Sequence, residues 1–211
     1  MRVQYNPDFG KASLYDARSL INTHNFKPDF NKLTLVKDWH LRQHNMSIKY
    51  QDKKYRKVAL LSKYPDIKPS LNYVAIEKLL DAFLYLGSCE PPQDETILVE
   101  FQRITCSREV VGLPENNDWT CHDNITKIGI LCVERDNVRG GIHEIKNDRD
   151  QVLKTELSPG FFFIFDGNIQ GRDTPMTPFF QSEDGFEGHR DLIILKRLSN
   201  DQKPATPPLQ L

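Results

Sequence analysis

Four apolar segments in the second half of the chain constrain the fold more than any other feature. They are TILVEFQRI (96–104), ITKIGILCVER (125–135), GFFFIF (160–165) and RDLIILKRL (190–198), separated by turns rich in Gly, Asn and Asp. Short apolar runs bounded by such turns are typical of strands. Several positions in a row are apolar, so we expect both faces of these strands to be covered, one by a second sheet and one by helices. The pattern predicts a β-sandwich or jelly roll with a helical layer.

The polar first third of the chain is expected to supply the helices. SLYDARSLINTH (13–24) is predicted to be helical, with Ser13 as its N-cap. The clearest helix is PSLNYVAIEKLLDAFLYLG (69–87), which Gly87 would end. Its apolar stripe consists of Val74, Leu79, Leu80, Phe83 and Leu84. The segment CEPPQD (89–94) then breaks the chain before the first apolar strand.

A chain of 211 residues suits one domain with a sizeable core. We expect this domain to span residues 1–200, with a helical and polar layer at 1–95 and a β-sandwich core at 96–200. The proline-rich tail 201–211 is predicted to be disordered.

Charge and cysteine content limit the class of partner and the location. Lys and Arg total 28 against 29 acidic residues, which gives no field that would attract nucleic acid or an acidic membrane surface. No apolar run could span a bilayer, and the first residues lack the apolar region of a secretory signal. The four cysteines form no CxxC pair, so reduced thiols are expected. We therefore predict a cytoplasmic protein with a small-molecule substrate and no nucleic-acid or membrane partner.

The stretch DWTCHDN (118–124) has the composition of a metal site. A mononuclear non-haem iron site needs two imidazoles and one carboxylate on one face. Side chains at i and i+2 share a face of a strand, so the sequence to look for is His-x-Asp. Two frames come close: Cys121-x-Asp123 keeps the carboxylate, and His122-x-Asn124 keeps the imidazole. Neither frame supplies the complete pair.

The wider context resembles the iron(II)/2-oxoglutarate dioxygenases that hydroxylate free amino acids, the L-isoleucine dioxygenase-like family. Five stretches carry the resemblance in the family's order: EFQRI (100–104), DWTCHDNITKIGILCVERDNVRGG (118–141), LSPGFFFIFDG (157–167), MTPFF (176–180) and GHRDLIILKRL (188–198). The resemblance covers roughly residues 96–198. It implies a double-stranded β-helix, a cupin-like jelly roll, with the N-terminal helices packed on one sheet. It also implies an oxidoreductase that uses Fe(II) and 2-oxoglutarate to hydroxylate a free amino acid or a similar small polar molecule.

The resemblance also assigns roles to individual residues. Arg190 matches the arginine that binds the distal carboxylate of 2-oxoglutarate, and a guanidinium can do so with two hydrogen bonds. Gln102 and Thr177 are further candidates for binding the cosubstrate.

The same resemblance points to the metal ligands. Without gaps it places Cys121 on the first iron histidine and Asp123 on the iron carboxylate, whereas a small gap places His122 on the histidine instead. The second iron histidine falls on Thr174, whose neighbour Asp173 is the nearest potential ligand.

Each assignment has an ordinary alternative. Arg190 could be a solvated rim residue paired with Asp191 or another carboxylate of the sheet. Gln102 could be a strand amide that points to solvent. The CHDN stretch could be a turn at the entry to a strand, and Asp173 could be a turn former. His143 and Glu144 are adjacent on a predicted strand, so a joint metal role is not expected.

Two other classes of protein compete with the oxygenase. The altered ligand set would suit a metal-free pseudoenzyme or a small-molecule binding module on the same fold. A scaffold protein could use the Lys- and Tyr-rich stretch KYQDKKYRK (49–57), which is otherwise a solvated face.

Overall fold

The long apolar strands of the C-terminal half lie side by side at the centre of one large sheet. A computed structural model describes residues 3–6, 12–23, 28–30, 33–37, 41–51, 54–59, 73–87, 95–109, 111–112, 125–146, 149–166, 179–183 and 186–199. Within these ranges the chain forms thirteen strands and two helices.

The strands and helices follow one another along the described parts of the chain in this order: β1 Val3–Asn6, β2 Ala12–Asp16, α1 Arg18–Thr23, β3 Thr34–Lys37, β4 Leu41–Gln51, β5 Lys54–Ala59, α2 Tyr73–Gly87, β6 Glu95–Cys106, β7 Ile125–Asp136, β8 Val138–Gly140, β9 Ile142–Lys146, β10 Val152–Glu156, β11 Phe161–Asp166, β12 Phe179–Gln181 and β13 Gly188–Leu198. The four strands predicted from the apolar segments are confirmed as β6, β7, β11 and β13.

The main sheet has nine strands in the order β1-β2-β11-β7-β13-β6-β4-β3, with β5 paired to β4. Two small antiparallel sheets, β9 with β10 and β8 with β12, accompany it. The protein is thus mainly β with few helices, and the predicted jelly-roll fold is confirmed. The prediction that residues 1–95 form a helical layer is wrong in one respect, because this region also contributes β1 to β5.

Side chains that alternate along β13 reach two separate cores. Ile193 and Leu195 belong to the helix-side core, which packs against α2. Leu192 and Ile194 belong to the inner core on the opposite face. The inner core also contains Leu157 and, partly buried, Leu153 of β10, so the small β9–β10 sheet covers this face. Consecutive apolar residues are required because both faces of the central strands are buried.

Helix α2 supplies most of the cover on the helix-side face. Its buried residues are Ala75, Ile76, Leu79, Leu80, Phe83 and Leu84. Val74, which the sequence assigned to this stripe, is 56% exposed, so that assignment is wrong. The described helix runs from Tyr73 to Gly87, and residues 69–72 of the predicted helix lie outside the described residues. No helix among the described residues is long and apolar enough to cross a membrane.

Helix α1 begins later than the sequence predicted. Ser13 is not an N-cap but lies in β2, where it pairs with Ile164 of β11 and with Tyr5 of β1. The helix starts at Arg18, whose backbone N–H donates to the Asp16 carboxylate at 3.1 Å. Residues 13–15 pair with β1 on one side and with β11 on the other, and this long-range pairing overrides the local preference of the segment for helix.

The described residues of the stretch KYQDKKYRK, 49–51 and 54–57, belong to β4 and β5, which pair antiparallel with Tyr50 opposite Tyr55. They are therefore part of the sheet.

Candidate functional site

Arg190 lies near the start of β13 and turns its side chain into the protein. It is 0% exposed, which makes the solvated-rim alternative wrong. It lies two positions before Leu192 and beside Cys132, both of which belong to the inner core, so it points to the inner face of the main sheet.

The next residue, Asp191, points to the opposite face and binds a different arginine. Arg103 donates to it from Nε and from Nη2, each at 2.6 Å. The alternative that Arg190 merely pairs with Asp191 is therefore wrong.

Two hydrogen bonds from the β9 side hold the Arg190 guanidinium. Nη1 donates to the backbone carbonyl of Gly141 at 3.1 Å. Nη2 lies 2.9 Å from Nε2 of His143. A guanidinium has only donors, so Nε2 of His143 must accept and the imidazole carries its proton on Nδ1. Burial lowers the pKa of Arg190, but arginine titrates so high that the group stays charged.

His143 is held in its neutral form. It is buried on β9, and burial is the largest cause that lowers its pKa well below the ordinary value. The positive charges of Arg190 and Arg135 lower it further. Glu144 points the other way and pairs with Lys154 at 2.6 Å, as expected for adjacent residues of a strand.

A second guanidinium lies at the same end of the inner face. Arg135 is opposite Arg190 in the pairing of β7 with β13. Its Nη2 donates to the carbonyl of Gly140 at 2.8 Å and pairs with Glu156 at 2.7 Å. Gly140 and Gly141 both have positive φ, 84° and 67°, which glycine adopts without strain. The Gly-Gly turn thus presents two successive carbonyls to two arginines.

A buried polar cluster lies further along the same face. Gln102 is 5% exposed, so the alternative that it points to solvent is wrong. It sits opposite Leu192 and donates from Nε2 to Glu100 at 3.2 Å. The other carboxylate oxygen of Glu100 accepts from Lys196, also at 3.2 Å.

The predicted metal ligands Cys121, His122, Asp123 and Asp173, together with Thr174 and the cosubstrate candidate Thr177, lie outside the described residues. Their predicted roles remain predictions.

Among the described residues, one group of His, Cys, Asp and Glu side chains is close enough to hold a metal. Glu134, His189 and Asp191 bring their ligand atoms within 4.8 Å of one another. His189 and Asp191 flank Arg190 along β13, so they point to the opposite face of the sheet. Both Asp191 oxygens also accept from Arg103. The position of this group therefore does not fit a metal ion that would bind the same small molecule as Arg190.

The sequence did not identify His143, Arg135, Glu100 or Lys196 as parts of the inner face. The available signal for His143 was weak: a histidine two positions after the Gly140-Gly141 pair, with Ile142 before it and Glu144 after it. Its contact with Arg190 spans 47 positions in the sequence, and the Lys196–Glu100 contact spans 96. Contacts of this range follow from the strand order and not from local pattern.

Comparisons with known proteins agree with this architecture. The family model described as 2OG-Fe dioxygenase matches residues 50–196. A search of the curated proteins found no match.

Solved structures share the fold at low sequence identity. IDO from Bacillus thuringiensis is similar with a TM-score of 0.61 and 13% identity, over 87% of this chain and 86% of that one. A bsmA homologue from Methylobium petroleophilum PM1 is similar with a TM-score of 0.60 and 17% identity, over 90% and 84% of the two chains. The Fe(II)/(alpha)ketoglutarate-dependent dioxygenase TqaL is similar with a TM-score of 0.60 and 10% identity, over 93% and 92%.

Proposed function

This chain belongs to the 2OG-Fe dioxygenase family of oxygenases that use Fe(II) and 2-oxoglutarate, and we propose that it hydroxylates a free amino acid or a similar small polar molecule. When bound, the iron and the oxo-acid supply the oxidative chemistry, while the protein binds, orients and shields the reactants.

The observation that carries the proposal is the placement of Arg190. Its guanidinium is fully buried on the inner face of the main sheet, and a carbonyl and an imidazole fix its plane. A planar guanidinium held in this way can bind one carboxylate of a dicarboxylic acid with two parallel hydrogen bonds. The dry surroundings strengthen that attraction, since less solvent screens it. Arg135 adds positive charge at the same end of the face.

The remaining cosubstrate and metal residues are proposed from the sequence. Gln102 shares the inner face with Arg190 and could bind the second polar end of a ligand through its amide. Thr177 is the further cosubstrate candidate. For the metal we propose Asp123 with His122 or Cys121, and Asp173 in place of the second histidine. Carboxylate, imidazole and thiolate are all donors that Fe(II) accepts, so this set can hold the ion in an unorthodox combination.

A titration tests cosubstrate binding and the role of Arg190 together. Protein purified without oxygen is loaded with Fe(II), and 2-oxoglutarate is added while the visible charge-transfer band is recorded and bound metal is measured. We expect stoichiometric iron and a saturable band. Arg190→Ala should weaken 2-oxoglutarate binding by roughly a factor of ten or more, because it loses charge-assisted hydrogen bonds.

Arg139→Ala is the matched control, since Arg139 lies on nearby β8 and is exposed. It should bind 2-oxoglutarate as the unaltered protein does. Equal affinity of the Arg190→Ala and Arg139→Ala proteins would exclude Arg190 as the anchor.

The substrate class is tested by 2-oxoglutarate turnover. Succinate formation is measured with a panel of L-amino acids and with the N-acetylated forms of the same compounds. We expect at least one free amino acid to stimulate turnover and its acetylated form not to do so. Stimulation by none of the free amino acids would contradict the proposed substrate.

A metal-free binding module is the second candidate, and the sequence gives a specific reason for it. Cys121 and Thr174 stand where the resemblance places the two iron histidines, and a threonine hydroxyl is a poor ligand. The same titration separates the two functions. Binding of 2-oxoglutarate with no iron retained under any loading condition would favour the binding module.

A further inference from the structure

We infer that His143 is a positioning residue that orients the Arg190 guanidinium for the carboxylate of the cosubstrate. This inference rests on the proposed function, because it assumes that Arg190 binds 2-oxoglutarate.

The contact itself supports an orienting role. The 2.9 Å bond to His143 Nε2 and the 3.1 Å bond to the Gly141 carbonyl reach different nitrogens of one guanidinium. Both partners belong to the segment that contains the Gly-Gly turn and β9. Two bonds to one rigid segment fix the rotation of the guanidinium plane, which a single bond would not do.

The chemistry of the partner matters as much as its position. A buried arginine is commonly held by a carboxylate, as Arg103 is held by Asp191 on the other face of the same strand. A carboxylate partner would cancel the charge and compete with an anionic ligand for the same donors. A neutral imidazole accepts one hydrogen bond and cancels no charge. His143 therefore suits an arginine whose charge serves a ligand.

The surroundings keep the imidazole neutral. Arg190 faces it from β13 and Arg135 faces it from β7, and each favours the unprotonated ring. Among the described residues, Cys132 of β7 and Glu156 of β10 are further ionisable groups that interact with this arginine pair. Glu156 is paired with Arg135 and its side chain is 54% exposed, so it offers His143 little stabilisation of a positive charge. Protonation of His143 would convert its acceptor into a donor that faces Arg190, and the orienting bond would be lost.

Three substitutions separate this role from simple core packing. His143→Gln keeps a neutral acceptor at a similar reach, His143→Leu keeps the apolar volume without an acceptor, and His143→Glu supplies a charged acceptor. We measure 2-oxoglutarate affinity in the anaerobic Fe(II) titration and monitor folding by thermal melting. Glu144→Gln, whose side chain points to the opposite face, is the control.

We expect His143→Gln to stay within a few-fold of the unaltered protein, and both His143→Leu and His143→Glu to lose roughly tenfold or more. A packing role predicts the opposite order, with His143→Leu the best tolerated. Equal 2-oxoglutarate affinity in all three variants would overturn the inference but not the proposed function. Failure of the unaltered protein to bind 2-oxoglutarate would overturn the proposed function instead.

The pH dependence of the affinity for 2-oxoglutarate is a further test, and it needs no variant that loses the hydrogen-bond acceptor at position 143. Because the pKa of His143 lies well below its ordinary value, the ring stays neutral at pH 7 and charges only in acid. The affinity of the unaltered protein for 2-oxoglutarate should therefore fall only at pH values well below the ordinary titration range of histidine, and there more steeply than in His143→Gln. Identical pH profiles for the two proteins would contradict the inference even if every variant folds.

Discussion

Adjacent residues of β13 place opposite charges on opposite faces of the main sheet. Arg190 enters the inner face, whereas Asp191 enters the helix-side face and is 1% exposed. Burial is the largest cause that raises the pKa of Asp191, and its hydrogen bonds to Arg103 act against it. A buried ion pair adds little net stability, but removing one partner leaves an uncompensated charge. Removing Arg103 should therefore leave the Asp191 carboxylate without this counter-charge in a buried position.

Arg103→Met tests this dependence. We expect the free energy of unfolding at pH 7 to fall by about 3 kcal/mol, since the buried carboxylate loses its counter-charge. Because Arg103 lowers the pKa of Asp191, its removal raises that pKa further, so the folded variant takes up a proton at higher pH than the unaltered folded protein does. The loss should therefore shrink as the pH falls from 7 towards 4.

Urea denaturation of Arg103→Met at both pH values gives the measurement. Lys154→Met is the matched control, because it breaks an ion pair whose lysine side chain is 63% exposed. It should cost less than about 1 kcal/mol. Equal losses in the two variants would show that the Arg103–Asp191 pair is solvated.

Secondary structure was predictable where the local pattern carries it. The sequence predicts the four central strands, β6, β7, β11 and β13. Burial on both faces requires consecutive apolar residues, as at Ile193, Ile194 and Leu195. Helix α2 shows the helical period. The polar strands of the first third carry no such signal. Strand β4 was missed because its position is set by pairing with β6, from Leu41 opposite Ile104 to Tyr50 opposite Glu95.

The packing of helix α2 on the main sheet depends on Gly129 of β7, which has no side chain. A Cβ at Gly129 would lie 2.8 Å from ring atoms of Phe162 and 2.8 Å from a ring atom of Phe83. Real Cβ atoms do not approach this closely, so the ring of Phe162 on β11 or the ring of Phe83 on α2 must shift. Gly129 therefore sets the distance between the helix and the sheet.

We expect Gly129→Ala to lower the free energy of unfolding by about 1 to 3 kcal/mol through overpacking. Phe162→Leu removes one of the two rings in the way, so the double variant should lose less than the sum of the two single variants. Urea denaturation of the four proteins measures this coupling. Strict additivity would mean that the extra methyl group is accommodated elsewhere.

Within the candidate site, only the residues to which the family resemblance assigns a role could be predicted from the sequence. Arg190 was found by its place in an ordered series of motifs, and Gln102 in the same way. His143 and Arg135 were not predicted as neighbours of Arg190, because the folded sheets and not the local sequence bring them together. For the same reason, Glu100 was not recognised as the partner of Lys196.

The strand order makes the integrity of the main sheet depend on its central strand, β13. Strand β13 pairs along all eleven residues with β6 on one side, and from His189 to Leu198 with β7 on the other. Early strands then extend the sheet in both directions, since β2 pairs with β11 and β4 pairs with β6. Neither the first 95 residues nor the remainder can complete this sheet alone. We therefore propose that residues 1–200 unfold as one domain and that residues 201–211 add nothing to its stability.

Unfolding by guanidinium chloride tests this proposal, because the two tryptophans, Trp39 and Trp119, lie on either side of α2 in the sequence. Trp39→Phe and Trp119→Phe leave one fluorescent probe in each part of the chain. We expect both probes and the far-UV circular dichroism to report the same midpoint, since loss of β2 or β4 exposes a long edge of the central strands. A variant ending at Asn200 should keep that midpoint. Separate midpoints for the two probes would divide the chain into independent units, which the shared sheet does not allow.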